Sequence, residues 1–378
     1  MRIKFGEIRI EDESLKHIQD CIASNHVTMG PKTKLLEERW SSLFGYKHTV
    51  AVSSGTSACM AANMALYDFG AQPGDEVIVP ALSFIATANA VRVAGFKPVF
   101  CDVRDDLLID EYKIESLITP RTRAIMPVTL MGKPPRLDVI RYLADKYNLK
   151  VIVDNCEGHG CQYQGRYMGD WGDVAVYSCY AAHILFSCEM GFVSTNNPQI
   201  AEAVESIRSH GRKPGSLYFD HLRYGLNLKP TDLHASIGLG SADKFWEIFN
   251  RRKDNWLYLY HSLSKFSDLF WMSDQDKDGI TSPHGFSLTV KPNKKVTRDG
   301  LVAQFDKYEI DWKRNFGCMA TQHGCFSYLG HKLGDFPKAE YIGNNGIHIG
   351  CHQFLTEQDL GRISEAVTSY VDSVWKSS

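Results

Sequence analysis

Apolar residues along the first two thirds of the chain fall into short runs. Val50-Ala51-Val52, Val77-Ile78-Val79, Val99-Phe100, Ala124-Ile125-Met126, Val151-Ile152-Val153, Val174-Ala175-Val176-Tyr177 and Phe192-Val193 are each too short for a helix. They read as strands buried on both faces. Between several of them the apolar spacing is helical, as at Leu35, Leu36 and Trp40 within a helix predicted over 33–44. Strand and helix alternate from about 49 to 195, the pattern of a mostly parallel sheet with helices on both faces. Beyond it the pattern predicts helices over 200–209 and 234–246, then a bridging helix near 242–266. Strands at 286–290 and 346–350 and a last amphipathic helix over 357–375 complete a smaller α/β unit. The expected division is a large domain over 1–245, with an opening arm over 1–30, and a small C-terminal domain over 246–378.

Composition narrows the class. The chain has 378 residues, 44% hydrophobic and 23% charged, with a formal net charge of −2. Such a balance gives no electrostatic case for nucleic acid or an anionic membrane. No apolar run reaches the roughly eighteen residues that a membrane span needs. The charged opening, Met1 to Ile18, lacks the apolar core of a signal peptide, so a cytoplasmic chain is expected. The ten cysteines contain no Cys-x-x-Cys pair, and no metal site is expected. Lys291 to Lys295 reads as a solvated basic loop.

The candidate chemistry lies where strands end. The strand at 150–153 runs into Asp154, and the strand at 173–177 runs into Ser178, with His183 just beyond. An acid, a hydroxyl and an imidazole thus reach the edge where open α/β sheets bind ligands. Upstream, the strand at 49–53 passes through Ser54-Gly55-Thr56-Ser57 into a helix. That arrangement makes an anion site from backbone N–H groups and the helix dipole. By themselves these residues also read as a capped turn, a helix-capping acid and a packed histidine, and Phe84 as a core ring.

The run Val153-Asp154-Asn155-Cys156-Glu157-Gly158-His159-Gly160, then Gly172-Asp173, Ser178-Cys179 and Glu189-Met190-Gly191, resembles the cofactor region of the DegT/DnrJ/EryC1/StrS sugar aminotransferases. The resemblance implies an aspartate-aminotransferase-like fold (PLP fold type I) and a pyridoxal 5′-phosphate or pyridoxamine 5′-phosphate cofactor (PLP or PMP). It implies a phosphate cradle from Gly55, Thr56, Ser57 and Ser178, and Phe84 stacked on the pyridine. It places Asp154 on the pyridine nitrogen and Glu157 near the ring hydroxyl. Asn227 would reach the phosphate of a neighbouring subunit, implying a homodimer with shared sites. Thr129 and Lys229 stand where the family has histidine and arginine.

At the position of the Schiff-base lysine stands His183. Imidazole forms no Schiff base but moves protons near neutral pH. Histidine here resembles the PMP-dependent sugar 3-dehydratase branch of the family. That implies a keto-sugar substrate linked to a nucleotide, and glutamate as amino donor. Two alternatives stand beside this reading: an aminotransferase of the same family without the lysine, and a catalytically degenerate relative that binds cofactor or partner. Cys179, Ile184 and Met190 depart from the usual residues. Met190 replaces a glycine, which predicts an altered cofactor bed.

Overall fold

The computed structural model describes residues 2–216, 220–293 and 295–376; within the basic loop, Lys294 lies outside them. Seven strands form the large sheet: β1 (His48–Val52), β2 (Glu76–Pro80), β3 (Lys97–Cys101), β4 (Thr122–Ile125), β5 (Lys150–Asp154), β6 (Val174–Ser178) and β7 (Gly191–Thr195). Their order is β1-β7-β6-β5-β4-β2-β3. β7 runs antiparallel to both neighbours, and every other pairing is parallel. This is an α/β fold with a mostly parallel mixed sheet. β5 and β6 pair directly, with Asp154 opposite Val176, so Asp154 and Ser178 emerge at the same end of adjacent strands.

The two faces are packed differently. On one, α1 (Pro31–Phe44) buries Leu36, Trp40 and Phe44. Trp40 stacks on Phe192 at 4.8 Å and meets Tyr177 edge-on at 4.8 Å. On the other, α2 (Gly55–Met64) presents Ala58, Ala61 and Ala62, all buried. Small side chains let this helix sit close over the sheet, which holds its N-terminus at the strand ends.

The small domain has four antiparallel strands: β8 (Phe270–Met272), β9 (Gly285–Val290), β10 (Trp312–Arg314) and β11 (Gly346–Gly350), in the order β8-β9-β11-β10. Hydropathy predicts β9 and β11 but not the short outer strands β8 and β10. The helix Phe245–Leu263 joins the domains: Phe245 and Phe249 belong to the Trp40 cluster, while Trp256, Leu259 and Leu263 belong to the small-domain core. The opening arm divides. The helix Asp12–Ala23 packs on the helix Asp232–Asp243, where Ser14 Oγ donates to the Ile237 carbonyl at 2.9 Å. Ile3, in contrast, bridges to Ile310 and lies in the small-domain core.

Candidate active site

A cavity of about 520 Å³ opens at the ends of β5 and β6, with the small domain as its far wall. Gly55, Thr56, Phe84, Asp154, Glu157, Ser178 and His183 all line it.

Its floor is Asp154, 5% exposed. Oδ2 accepts a hydrogen bond from Thr87 Oγ1 at 2.7 Å, and Oδ1 accepts from the Cys156 N–H at 3.3 Å. A buried carboxylate needs such donors. Cys59 Sγ lies 3.7 Å from Oδ2. Cys59, Asp154 and Cys156 offer three potential metal-ligand atoms within 4.8 Å of one another. A hydrogen bond with Cys59, and burial, hold the Cys156 thiol well above its ordinary pKa. For Cys59 that bond acts the other way, but burial and the Asp154 charge outweigh it and the pKa is raised. Both sulfurs belong to the floor of the cavity.

The anion end is built from α2 and β6. Ser54 caps the helix, its Oγ accepting from the Ser57 N–H at 3.0 Å. A Cβ on Gly55 would stand 2.5 Å from Ser178 Cβ, so only glycine allows this approach. Ser57 is turned inward, with its hydroxyl 2.9 Å from that of Ser53, and does not line the cavity. Thr56 is exposed beside it. Phe84 is 57% exposed and meets Phe316 edge-on at 6.2 Å, leaving a ring face open to the cavity rather than lost in a core.

His183 sits in the turn after β6, its N–H donating to the Tyr180 carbonyl at 2.9 Å. Its Nδ1 is buried and has no hydrogen-bond partner. Its ring lies between His159, 5.5 Å away and stacked, and His284, 4.9 Å away and tilted. Burial, aided by His159, Arg252 and Lys313, pushes its pKa well below the ordinary value, so the ring is neutral. His159 has a structural duty. Its Nε2 meets the Ser178 carbonyl at 2.9 Å and its Nδ1 accepts from the Leu185 N–H at 3.3 Å, pinning the turn to the strand. Burial lowers its pKa to about 3.

Glu157 Oε2 accepts from the Met131 N–H at 2.7 Å, and Oε1 lies 3.5 Å from His284 Nε2. Burial raises the Glu157 carboxyl to about 7. Burial, reinforced by His183 and Arg252, drives His284 well below its usual value. The pair is therefore not an ion pair at neutral pH.

Three of the departures from the family pattern face away from the cavity. Cys179, Ile184 and Met190 are all buried in the Trp40 cluster. Met190 Sδ is not at the cofactor end at all; it accepts from Ser187 Oγ at 3.1 Å. The expected change of cofactor bed at Met190 is thus absent from this geometry. Gly191 is the demanding position, because a Cβ there would meet the Ser54 carbonyl oxygen at 2.4 Å. Thr129 spends its hydroxyl on Asn155 Oδ1 at 2.7 Å.

Asn227 does not reach this cavity. It lies exposed on a loop bridged to Ser209. Conversely, Phe5, His284, Lys313, Arg314 and His348 line the cavity without being anticipated. Lys313, on β10, brings a primary amine into the site, with Nζ 4.3 Å from the Phe5 ring centre.

A flat, anionic pyridine fits this donor set. There is an open aromatic face, a buried carboxylate at the floor, and hydroxyls with a helix N-terminus at one end. The sequence profile of the DegT/DnrJ/EryC1/StrS aminotransferase family matches residues 8–368. The chain belongs to this family. It is 30% identical to GDP-perosamine synthase of Caulobacter vibrioides, over 97% of each chain. It is 29% identical to GDP-4-keto-6-deoxy-D-mannose 3-dehydratase of Yersinia pseudotuberculosis, over 92% of this chain and 94% of that one. Among solved structures, the E. coli GDP-4-keto-6-deoxy-D-mannose-3-dehydratase with bound hydrated PLP superposes with a TM-score of 0.87. It is 25% identical, covering 97% of this chain and 99% of that one. The cofactor of this family fold is PLP or its amine form, PMP.

Proposed function

We propose that this chain is a PMP-dependent dehydratase that removes a hydroxyl next to the ketone of a nucleotide-linked keto sugar. The observation that carries the reading is His183. By the family resemblance it stands where the lysine would; in the structure it lines the cavity, is neutral, and has an unpartnered ring nitrogen. An imidazole in this state accepts and returns protons but cannot anchor an aldehyde covalently.

The cofactor, when bound, supplies an electron sink and an amine that condenses with a ketone. The chain's residues do the rest. Asp154, steadied by Thr87, holds the protonated pyridine nitrogen. Phe84 covers one ring face. Thr56, Ser178 and the α2 N-terminus hold the phosphate, with Gly55 permitting their approach. His183 takes a proton and delivers one as the hydroxyl leaves. Similarity to a GDP-sugar 3-dehydratase supports this substrate class. Glutamate would restore the amine cofactor. Asn227 is exposed and does not line its own cavity; we read the working form as a homodimer in which Asn227 would serve the second subunit.

A second reading is a lysine-free sugar aminotransferase, favoured by the 30% identity to GDP-perosamine synthase. Ammonia separates the two. A dehydratase releases ammonia and a deoxygenated keto sugar, whereas an aminotransferase retains the nitrogen in an amino sugar. Incubation with GDP-4-keto-6-deoxymannose, PMP and glutamate, followed by mass spectrometry of the sugar and an ammonia assay, decides between them.

A further inference from the structure

Arg252, on the joining helix Phe245–Leu263, is 2% exposed, and no carboxylate pairs with it among the described residues. Its Nη2 donates to the Ala182 carbonyl at 2.8 Å, while Nε and Nη1 are buried without partners. Burying an unpaired cation is costly, so its place needs a reason beyond packing. We propose that Arg252 is a positioning residue for His183, holding the turn that carries the imidazole at the cavity edge. The proposal rests on the reading of His183 as proton carrier only for its effect on turnover.

The turn after β6 is gripped on both sides of His183. Downstream, the Leu185 N–H donates to His159 Nδ1 at 3.3 Å and the Phe186 N–H donates to Ser241 Oγ at 3.2 Å. Upstream, Arg252 holds the carbonyl of Ala182, the residue just before His183. The imidazole has no comparable anchor of its own. Its Nδ1 is buried without a partner, and its neighbours are the His159 ring at 5.5 Å and the His284 ring at 4.9 Å. Packing contacts are less directional than hydrogen bonds. Placement of the ring therefore falls to the backbone of the turn, and Arg252 fixes that backbone one residue away.

The element that supplies the grip is also significant. On the joining helix, Phe245 and Phe249 belong to the Trp40 cluster, and Trp256, Leu259 and Leu263 belong to the small-domain core. Arg252 stands between these two sets of anchors. It therefore ties the His183 turn, part of the large domain, to the helix that carries the small domain. His284 comes from that small domain and forms one side of the slot around the His183 ring. A single buried side chain thus sets His183 relative to both walls of the cavity.

The test compares Arg252→Met, which removes the charge and the donors, with Arg252→Lys, which keeps a cation and a donor. The control is Asn255→Leu on the same helix, because Asn255 Nδ2 donates to the His352 carbonyl at 2.8 Å rather than to the His183 turn. The full chain without added cofactor is isotope-labelled at the histidine ring carbons and its NMR spectrum recorded at constant pH, with His183→Asn for assignment. His183 lies between two aromatic rings, so its ring shifts report its position. Arg252→Met should displace or broaden the His183 signals, whereas Arg252→Lys and Asn255→Leu should leave them in place. With PMP and the keto sugar, Arg252→Met should lose at least about tenfold in kcat while KM stays within about twofold, and Arg252→Lys should recover most of that loss. The Tm of Arg252→Met should stay within a few degrees of the parent, because the unpaired buried charge leaves together with its bond. If Arg252→Met does not fold by circular dichroism, Arg252→Gln, too short to reach Ala182, replaces it with the same expectations. Unmoved His183 signals, or a loss of kcat in a folded Arg252 variant whose His183 signals stay in place, overturns the proposal. Displaced signals with no turnover by the parent would keep this role for Arg252 and remove the functional reading. Turnover by the parent with His183 signals that ignore Arg252 would do the reverse.

Discussion

Thr87 Oγ1 lies 2.7 Å from Asp154 Oδ2, and it is the shortest hydrogen bond described for that carboxylate. The bond crosses from the helix Ala86–Val93 to the end of β5 and fixes the acid under the cavity. Thr87→Val keeps the shape and removes the donor. Such a loss at a charged acceptor is worth about 1.5–3 kcal/mol. We expect PLP to bind at least about tenfold more weakly, measured by fluorescence titration, with Tm lowered by only a few degrees. Unchanged affinity would show that Asp154 does not depend on Thr87.

Gly55→Ala tests the phosphate end. The added Cβ would stand 2.5 Å from Ser178 Cβ and 3.1 Å from its Cα. Overpacking of this kind costs about 1–3 kcal/mol. Denaturant unfolding should show that loss, and cofactor affinity should fall with it. A variant as stable and as tightly binding as the parent contradicts the close approach of α2 and β6.

Met190 sits in the Trp40 core, so its truncation should be felt as stability rather than as chemistry. Met190→Ala removes buried volume and is expected to cost about 2–5 kcal/mol. PLP affinity, measured at a temperature where the variant is folded, should stay within about threefold. Loss of affinity with intact stability would return Met190 to the cofactor bed.

Glu157 gives a pH dependence with a definite sign. Its folded-state pKa is raised from 4.5 to about 7, so the folded chain holds the extra proton between those values. Stability therefore falls as pH rises from about 4.5 to 7 and then levels off, by roughly 3 kcal/mol at most. Glu157→Gln, measured without cofactor, should gain stability over the parent progressively across that window and show no gain at pH 4. A constant difference at all pH values would contradict the raised pKa.

Much of this was readable from the chain. Short apolar runs mark every strand of the large sheet, because strands buried on both faces need continuous apolar residues. Asp154, Ser178 and His183 were legible because each stands just past such a run. The small-domain wall was not. His284 follows Ser282-Pro283 in a turn with no periodic signal, and Lys313 sits on a three-residue strand, Trp312–Arg314, too short to show alternation. Phe5 reaches the cavity because Ile3 docks on Ile310, a contact spanning nearly the whole chain. Met190 misled for a different reason. A residue beside a site in sequence can face the opposite side of the sheet, and at the entry to β7 it is Gly191 that lies against the Ser54 carbonyl.

In the function proposed above, His183 rather than a lysine transfers the proton, and the cofactor is held without a covalent bond. The most direct measurement is the absorbance spectrum and mass of the purified chain with PLP, before and after borohydride, followed by addition of glutamate. The expected result is a free-aldehyde spectrum, no mass added by borohydride, and conversion to the amine form with glutamate. His183→Lys should then become labelled. Labelling of the parent chain at a lysine, with Lys313 the first peptide to inspect, would contradict it.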